Sequence, residues 1–289
     1  MYHTADREGR MIKENSMQDR LLKGMYGNCI GRLFLRVFIS PTISKMVGRL
    51  LDTRASTLIV PWFVRRHAID LNEYEKQSYR SYNDFFKRKM AAGIRDVNQK
   101  ENVFVSPCDS RLSVYKIDGE GGFYIKNTWY TAESLLRDEK LALKYTGGYL
   151  WVFRLCVEDY HRYIFTDNGK VSSIRRIPGV FHTVNPVAND VFPIYKENTR
   201  EYCLIKSENF GTMLQMEVGA MLVGKIENHP GGRNVYRGME KGNFAYGGST
   251  IILMTQKGKV RPDGDIIRYS KSGIETRVKL GEQVGVKKS

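Results

Sequence analysis

The sequence predicts an α+β fold, in which a mainly helical region, residues 1–100, precedes a β-rich, sandwich-like region, residues 101–289. In the first region apolar residues recur at spacings of three and four, which is typical of one face of an amphipathic helix. The clearest run contains Leu33, Phe34, Val37 and Phe38. The apolar pattern lapses between residues 93 and 102, so we expect the boundary between the two regions there.

The second region shows two patterns that are typical of strands. Residues 148–155 form a continuous apolar run, which predicts a buried strand, and residues 212–218 alternate between apolar and polar side chains, which also predicts a strand. Gly and Pro clusters punctuate these runs, as turns do. The clusters are Pro178-Gly179, Pro230-Gly231-Gly232, Gly247-Gly248 and Pro262-Asp263-Gly264.

One apolar segment of the helical region, residues 59–64, contains Trp62 and is followed by Arg65 and Arg66. An apolar face edged by Arg and carrying a Trp suits a helix that lies on an anionic membrane surface. An ordinary helix packed on a protein core would show the same pattern. The sequence therefore makes residues 1–100 a candidate membrane-associating region, with core packing as the alternative.

The charge balance is strongly basic, with 46 Lys and Arg against 31 Asp and Glu, a formal net charge of +15. Such a charge favours anionic partners, either a lipid surface or nucleic acid. The basic residues are spread along the chain without a groove-reading motif, so we expect no nucleic-acid partner. The cysteines are far apart and form no CxxC pair, so we expect no metal site.

The sharpest chemical feature is Gly247-Gly248-Ser249-Thr250, which directly precedes the apolar segment 251–254. Glycine accepts backbone angles that other residues avoid and lets groups approach closely. The Ser249 hydroxyl could therefore attack the preceding peptide bond, provided that the hydroxyl is activated and the oxyanion stabilised. Taken alone, the same four residues also fit an ordinary hairpin turn.

Further motifs occur in a fixed order around this segment, and together they distinguish the two interpretations. They are Asn83 to Arg88 (NDFFKR), Ser106 to Arg111 (SPCDSR), Arg154 to Tyr163 (RLCVEDYHRY), His182 to Pro186 (HTVNP), Lys196 to Arg200 (KENTR), Asn209 to Gly211 (NFG), Glu217 to Ala220 (EVGA) and Lys241 to Thr250 (KGNFAYGGST). Over residues 80–289 this series resembles the phosphatidylserine decarboxylases, in particular their shorter bacterial branch. DYHR and GGST are the most specific pieces.

The resemblance implies a proenzyme that cleaves itself between Gly248 and Ser249. A β chain, residues 1–248, would then stay bound to an α chain, residues 249–289, as a heterodimer, with higher homo-oligomers left open. Ser249 would become a pyruvoyl group, whose ketone serves as an electron sink for the loss of CO2 from an amino acid. The implied substrate is phosphatidylserine and the implied product phosphatidylethanolamine.

The resemblance also implies a partner and a place in the cell. The partner is an anionic phospholipid surface, and the place is the cytoplasmic side of the cell membrane, as a peripheral protein. The sequence shows neither a signal peptide nor an apolar run of the roughly 20 residues that a membrane span requires.

Family members activate the cleavage serine with an Asp and a His, and this chain departs from that pattern. Asp109 matches the Asp, although Cys108 and Ser110 flank it where the family usually has small residues, and His161 lies within DYHR. The second histidine, which usually drives self-cleavage, falls at Ile164. Three alternatives follow: His161 performs both tasks, His182 enters the site, or cleavage is impaired.

Two other functions remain compatible with the sequence. One is a pyruvoyl-dependent decarboxylase of a soluble amino acid, because no motif identifies a lipid headgroup site. The other is an uncleaved, non-catalytic lipid-binding protein, which Ile164 motivates.

Overall fold

The computed structural model describes residues 3–12, 24–27, 39–76, 78–125, 128–189, 191–220, 225–229, 233–245 and 249–288. The helices are α1 Pro41–Leu51, α2 Ile59–His67, α3 Tyr82–Phe86, α4 Ala132–Leu136, α5 Glu139–Leu143, α6 Pro186–Asn189, α7 Ile194–Glu197 and α8 Gly264–Lys271, with 3₁₀ turns at Arg54–Leu58 and Leu71–Glu73. The apolar run predicted at residues 33–38 lies outside the described residues.

The strands are β1 His3–Ala5, β2 Met11–Ile12, β3 Val103–Val105, β4 Ser110–Lys116, β5 Gly122–Ile125, β6 Thr128–Thr131, β7 Tyr149–Leu155, β8 Arg162–Ile164, β9 Gly169–Val171, β10 Arg175–Ile177, β11 Arg200–Ser207, β12 Gly211–Val218, β13 Lys225–Asn228, β14 Asn234–Val235, β15 Glu240–Ala245, β16 Ser249–Thr255, β17 Val260–Pro262, β18 Ile274–Val278 and β19 Gln283–Lys287. The predicted α+β class is confirmed. The strands predicted at residues 148–155 and 212–218 are β7 and β12.

An eleven-stranded sheet dominates the molecule, in the order β14-β9-β11-β12-β16-β7-β4-β18-β1-β2, with β10 pairing beside β11. β16, which begins at Ser249, lies near the middle between β12 and β7. The first two strands, residues 3–12, extend the sheet at its far edge. The sequence pattern did not predict these strands, and the division into two regions near residue 100 stays a prediction.

The helices nearest the N-terminus form a layer over residues 41–86. α1 begins at Ser40, whose side chain accepts the amide hydrogen of Thr42 and so caps the helix. α2 ends at Ala68, which adopts the left-handed conformation that terminates many helices. None of the helices in the described ranges is long and apolar enough to cross a membrane.

A second sheet, in the order β13-β15-β8, packs on one face of the large sheet. Tyr163 and Phe244 of this small sheet share a buried cluster with Phe153, Ile251 and Leu253 of the large one. The opposite face of the large sheet packs on a second cluster, which includes residues of α4, α5 and α7. The molecule therefore has a core on each side of β16.

A buried ion pair joins the two sheets. The Lys241 ammonium of β15 lies 2.7 Å from a carboxylate oxygen of Glu217 of β12, and both side chains are almost completely buried. Asn228 of β13 contacts both charged groups. Burial raises the pKa of Glu217, and the Lys241 charge opposes that rise. The pair therefore compensates a charge that the interior would otherwise reject.

We expect Lys241→Met to lower the free energy of unfolding by about 3–5 kcal/mol, because it leaves the Glu217 carboxylate buried without its cation. The double variant Glu217→Met/Lys241→Met removes both charges and should be clearly more stable than the single variant. Urea unfolding measures both. A loss below about 1 kcal/mol in the single variant, or no recovery in the double variant, would contradict the compensation.

Candidate active site

Ser249 is the first residue of β16, and its side chain is completely buried. It lies opposite Leu155 of β7, and the next residue, Thr250, lies opposite Val218 of β12. Within the described part of the chain the Ser249 Oγ has no hydrogen-bond partner. A buried hydroxyl without a partner costs about 1–3 kcal/mol. The Ser249 hydroxyl is therefore not committed to another described side chain, and it is available for a chemical role.

Gly248, the other half of the predicted cleavage bond, lies outside the described residues, as do residues 246 and 247. The elements on either side are defined: β15 ends at Ala245 in the small sheet, and β16 begins at Ser249 in the large sheet. The chain therefore passes from one sheet to the other between Ala245 and Ser249.

The DYHR motif lies beside the end of β15. β8, which begins at Arg162, pairs with β15 so that Arg162 is opposite Asn243. The carbonyl oxygen of His161 accepts the amide hydrogen of Phe244 at 3.0 Å. His161 is thus hydrogen-bonded through its backbone to β15, the strand that precedes Ser249 along the chain.

The hydrogen bonds of His161 define its tautomer. The imidazole is completely buried, and its Nδ1 lies 2.9 Å from the backbone carbonyl oxygen of Asp159. A carbonyl oxygen can only accept, so Nδ1 carries the hydrogen and Nε2 presents a lone pair in the neutral ring. His161 is therefore arranged as a proton acceptor at Nε2.

The Asn83 to Arg88 motif holds this imidazole in place. The ring of Phe86 packs against that of His161, with centroids 4.1 Å apart. The buried Arg88 guanidinium donates to the carbonyl oxygens of Glu158 and Asp159, at 3.1 and 3.2 Å. The Asp159 carbonyl that orients His161 is therefore itself fixed by Arg88. The sequence contained this motif, but nothing in its pattern indicated the contact.

The Asp159 carboxylate has a different partner from its carbonyl. It accepts from the Arg111 guanidinium at 2.7 Å and from the amide of Cys156 at 2.7 Å. Arg111 also bonds Glu158 at 2.8 Å. Burial raises the pKa of Asp159, while the positive charge of Arg111 works against the rise. This ion pair fixes the turn that precedes His161.

Asp109 precedes β4, and its carboxylate is bound by two groups. The Arg95 guanidinium lies 2.9 Å from one oxygen, and the amide of Leu280 donates to the other at 2.7 Å. Leu280 packs in a buried cluster with Ile164. Ile164 occupies the position of the family's usual second histidine. It therefore lies in a buried apolar cluster with Leu280, the residue whose amide binds Asp109.

His182 occupies the opposite side of the large sheet. Its Nε2 lies 3.2 Å from a carboxylate oxygen of Glu197, and its Nδ1 lies 3.4 Å from the hydroxyl of Tyr26. The ring stacks on Phe192, with centroids 4.9 Å apart. Burial lowers the pKa of His182, although Glu197 opposes this effect. Both ring nitrogens are therefore engaged by residues other than Ser249.

Asn198 links His182 to the strand beside Ser249. Its side-chain oxygen accepts the amide hydrogen of His182, and its side-chain nitrogen donates to the carbonyl oxygens of His182 and Gly219, all at 2.8 Å. Gly219 follows Val218, the partner of Thr250. In the sequence, Asn198 belongs to the KENTR motif, but the motif indicated no role for this residue.

The three thiols in the described ranges, Cys108, Cys156 and Cys203, do not offer an alternative nucleophile. Burial raises the pKa of Cys156 and of Cys203 to about 12, and raises that of Cys108 as well. All three therefore stay protonated near neutral pH, where a thiol is a weak nucleophile. The described ranges contain no group of three or more His, Cys, Asp or Glu side chains that could hold a metal ion.

The chain is similar in sequence to one family of known proteins. A family model described as phosphatidylserine decarboxylase matches residues 82–286. "Phosphatidylserine decarboxylase proenzyme 2" of Clostridium acetobutylicum is 42% identical over 275 residues, 94% of each chain. "Phosphatidylserine decarboxylase proenzyme" of Ruminiclostridium cellulolyticum is 40% identical over 92% of this chain and 91% of its own. The Fusobacterium nucleatum protein of the same name is 37% identical over 97% and 96%.

The matched region begins at the segment that packs on His161 and continues through Ser249 to the last strand. Since the family model spans more than half of the chain, and relatives of 37–42% identity align over nearly all of it, the chain belongs to the phosphatidylserine decarboxylase family.

Proposed function

We propose that this protein is a phosphatidylserine decarboxylase proenzyme, a carboxy-lyase precursor that cleaves itself between Gly248 and Ser249. The mature enzyme would convert phosphatidylserine to phosphatidylethanolamine. The observation that carries the proposal is the buried Ser249 hydroxyl at the start of β16, with the DYHR segment hydrogen-bonded to the strand before it. The names of the relatives support the same reaction.

Self-cleavage needs only the serine, a base and water. The Ser249 oxygen attacks the Gly248 carbonyl carbon, and the peptide nitrogen is displaced, which converts the amide to an ester. Loss of the Cα proton of residue 249 then expels the Gly248 carboxylate and leaves a dehydroalanine. Hydrolysis of this residue releases ammonia and leaves a pyruvoyl group at the start of residues 249–289.

His161 is the residue that we assign as the base. Its Nε2 lone pair can take the Ser249 proton, because the Asp159 carbonyl holds the hydrogen on Nδ1. The same nitrogen, once protonated, would be a proton donor, and the side chain is completely buried. We therefore propose that one histidine serves both proton transfers in place of the usual second histidine at Ile164.

Asp109 and His182 remain predicted site residues, and their contacts support positioning roles. The Asp109 carboxylate binds the Arg95 guanidinium and the amide of Leu280. Leu280 follows the proposed cleavage bond in the sequence. His182 is held through Asn198 to Gly219, next to the start of β16. None of these contacts includes Ser249 itself, so we assign a proton transfer to neither residue.

The pyruvoyl cofactor fits the site, because it forms from residue 249 itself. The buried Ser249 Oγ, which has no hydrogen-bond partner among the described residues, lies where the group would begin, at the first residue of a strand paired on both sides. When present, the group supplies an electron sink for decarboxylation. His161 would hold or release a proton beside it at Nε2.

The helical layer supplies a surface for the anionic membrane that the substrate implies. Its exposed apolar side chains are Met46, Leu50, Leu58, Ile59 and Trp62, and its exposed basic side chains are Lys45, Arg49, Arg54, Arg65 and Arg66. Apolar groups rimmed by cations suit the interface of an anionic bilayer. We propose that this face docks the enzyme peripherally.

The docking face lies close to the reacting residues. Phe63, on the buried side of α2, packs edge-to-face on Phe85, with centroids 5.8 Å apart. The next residue, Phe86, contacts His161. One helical layer therefore separates the proposed membrane surface from the proposed base, so a headgroup needs to travel only a short way from the bilayer.

The wild-type protein should form phosphatidylethanolamine from vesicles that contain phosphatidylserine, and denaturing electrophoresis should show two chains. Ser249→Ala should remain one chain and form no product, because it cannot form the ester. Ser272→Ala removes an exposed serine of the same segment and should behave as wild type. Product from Ser249→Ala, or decarboxylation of free serine but not of the lipid, would refute the proposal.

Membrane docking predicts that Leu58→Gln/Trp62→Gln weakens binding to phosphatidylserine-containing vesicles at least tenfold, because these side chains are 82% and 63% exposed. Vesicle sedimentation measures the effect. Leu143→Gln is the matched control, since Leu143 is 65% exposed on α5, away from the helical layer. Equal binding by the double variant and wild type, or an equal loss in the control, would rule out this face.

A further inference from the structure

The first described residues form a hairpin at the edge of the large sheet. β1 pairs antiparallel with β2 and parallel with β18, in the register His3 with Ile274 and Ala5 with Thr276. The side chains of Thr4 and Ala5 are almost completely buried there. We call residues 3–12 the N-terminal hairpin.

Arg7, in the turn of this hairpin, makes a dense set of polar contacts. Its Nε lies 2.6 Å from one carboxylate oxygen of Asp265, and its Nη2 lies 2.9 Å from a carboxylate oxygen of Asp263. Its Nη1 donates to the carbonyl oxygen of Gln283 at 2.5 Å. The guanidinium is only partly exposed, so these charge-assisted bonds are partly shielded from water.

The turn is tight as well as charged. The amide of Asp6 donates to the carbonyl oxygen of Arg10, and Gly9 has a φ of +92°. A Cβ at Gly9 would lie 3.1 Å from the Tyr269 hydroxyl, so glycine permits a close approach to α8. The hairpin thus contacts α8 as well as β18.

The partners of the hairpin share one property: every one of these contacts outside the hairpin lies between residues 263 and 283. That range falls within residues 249–289, which the proposed cleavage separates from the rest of the chain. β18 is bordered on its other side by β4, so without the hairpin it would be an edge strand.

We propose that the N-terminal hairpin is a clasp, by which the β chain of the processed enzyme holds the α chain through β18 and α8. The inference rests on the proposed self-cleavage, which turns these intramolecular contacts into contacts between two chains. The N-terminal hairpin contacts residues of the α chain at the β2 edge of the sheet. Near the middle of the sheet, β16 of the α chain pairs with β12 and β7. The N-terminal hairpin thus binds the chain's own C-terminal segment, residues 249–289.

Arg7→Ala tests the clasp, with Arg10→Ala as its matched control. Arg10 carries the same charge in the same hairpin, but its ion pairs are to Asp6 and Glu8 within the hairpin itself. After processing, each protein is equilibrated in increasing urea and separated by size exclusion, and the α chain remaining with the β chain is measured. Arg7→Ala should release its α chain at a lower urea concentration than wild type, whereas Arg10→Ala should match wild type.

A second arm uses the Ser249→Ala background, in which the C-terminal segment stays covalently attached. There Arg7→Ala should make hydrogen exchange of the β18 amides about tenfold faster, the effect of losing a charge-assisted hydrogen bond. If the wild-type protein remains a single chain, the proposed self-cleavage is wrong. The hydrogen-exchange measurement still tests whether the N-terminal hairpin holds β18. Unchanged exchange in β18, or unchanged release of the α chain from Arg7→Ala, overturns the clasp.

Discussion

The burial of the Ser249 hydroxyl at the start of a central strand is the constraint on which the rest of the site depends. β12 and β7 hydrogen-bond to β16 on its two sides, so the position of residue 249 is fixed by the sheet and not by a loop. A polar group kept dry in this way experiences stronger electrostatic effects than one in water. In the proposed mechanism, the reactivity of Ser249 then depends on His161, which precedes β8 of the second sheet.

The orientation of His161 depends on contacts between motifs that are far apart along the chain. The carbonyl of Asp159 fixes His161, Arg88 fixes that carbonyl, and Phe86 packs on the imidazole. The proposed base, His161, is thus oriented by a backbone oxygen, whereas an Asp–His–Ser arrangement would orient it by a carboxylate. A carbonyl oxygen on Nδ1 selects, for the neutral ring, the tautomer whose Nε2 carries the lone pair, which is the property that a proton acceptor needs.

The sequence predicted the α+β class, two central strands and the family, because these depend on local periodicity and on the order of motifs. It did not predict contacts between segments distant along the chain. Arg95 on Asp109 and the hairpin on β18 join residues that no local pattern relates. The same holds for Asn198, whose side chain binds two backbone groups of His182 and one of Gly219, in two separate segments. Ile164 was visible as a departure, but its apolar neighbours Tyr160 and Leu280 emerge only from the fold.

The assignment of His161 as the base is tested most directly by the rate of self-cleavage in freshly synthesised proenzyme. His161→Ala should slow the appearance of the α chain by about 10²–10⁴-fold, the usual contribution of a positioned base. His182→Ala should cleave much faster than His161→Ala, because Glu197 and Tyr26 engage its ring and leave it a positioning role only. Urea unfolding would establish that both variants are folded. Cleavage of His161→Ala at the wild-type rate, or arrest of a folded His182→Ala, would contradict the account.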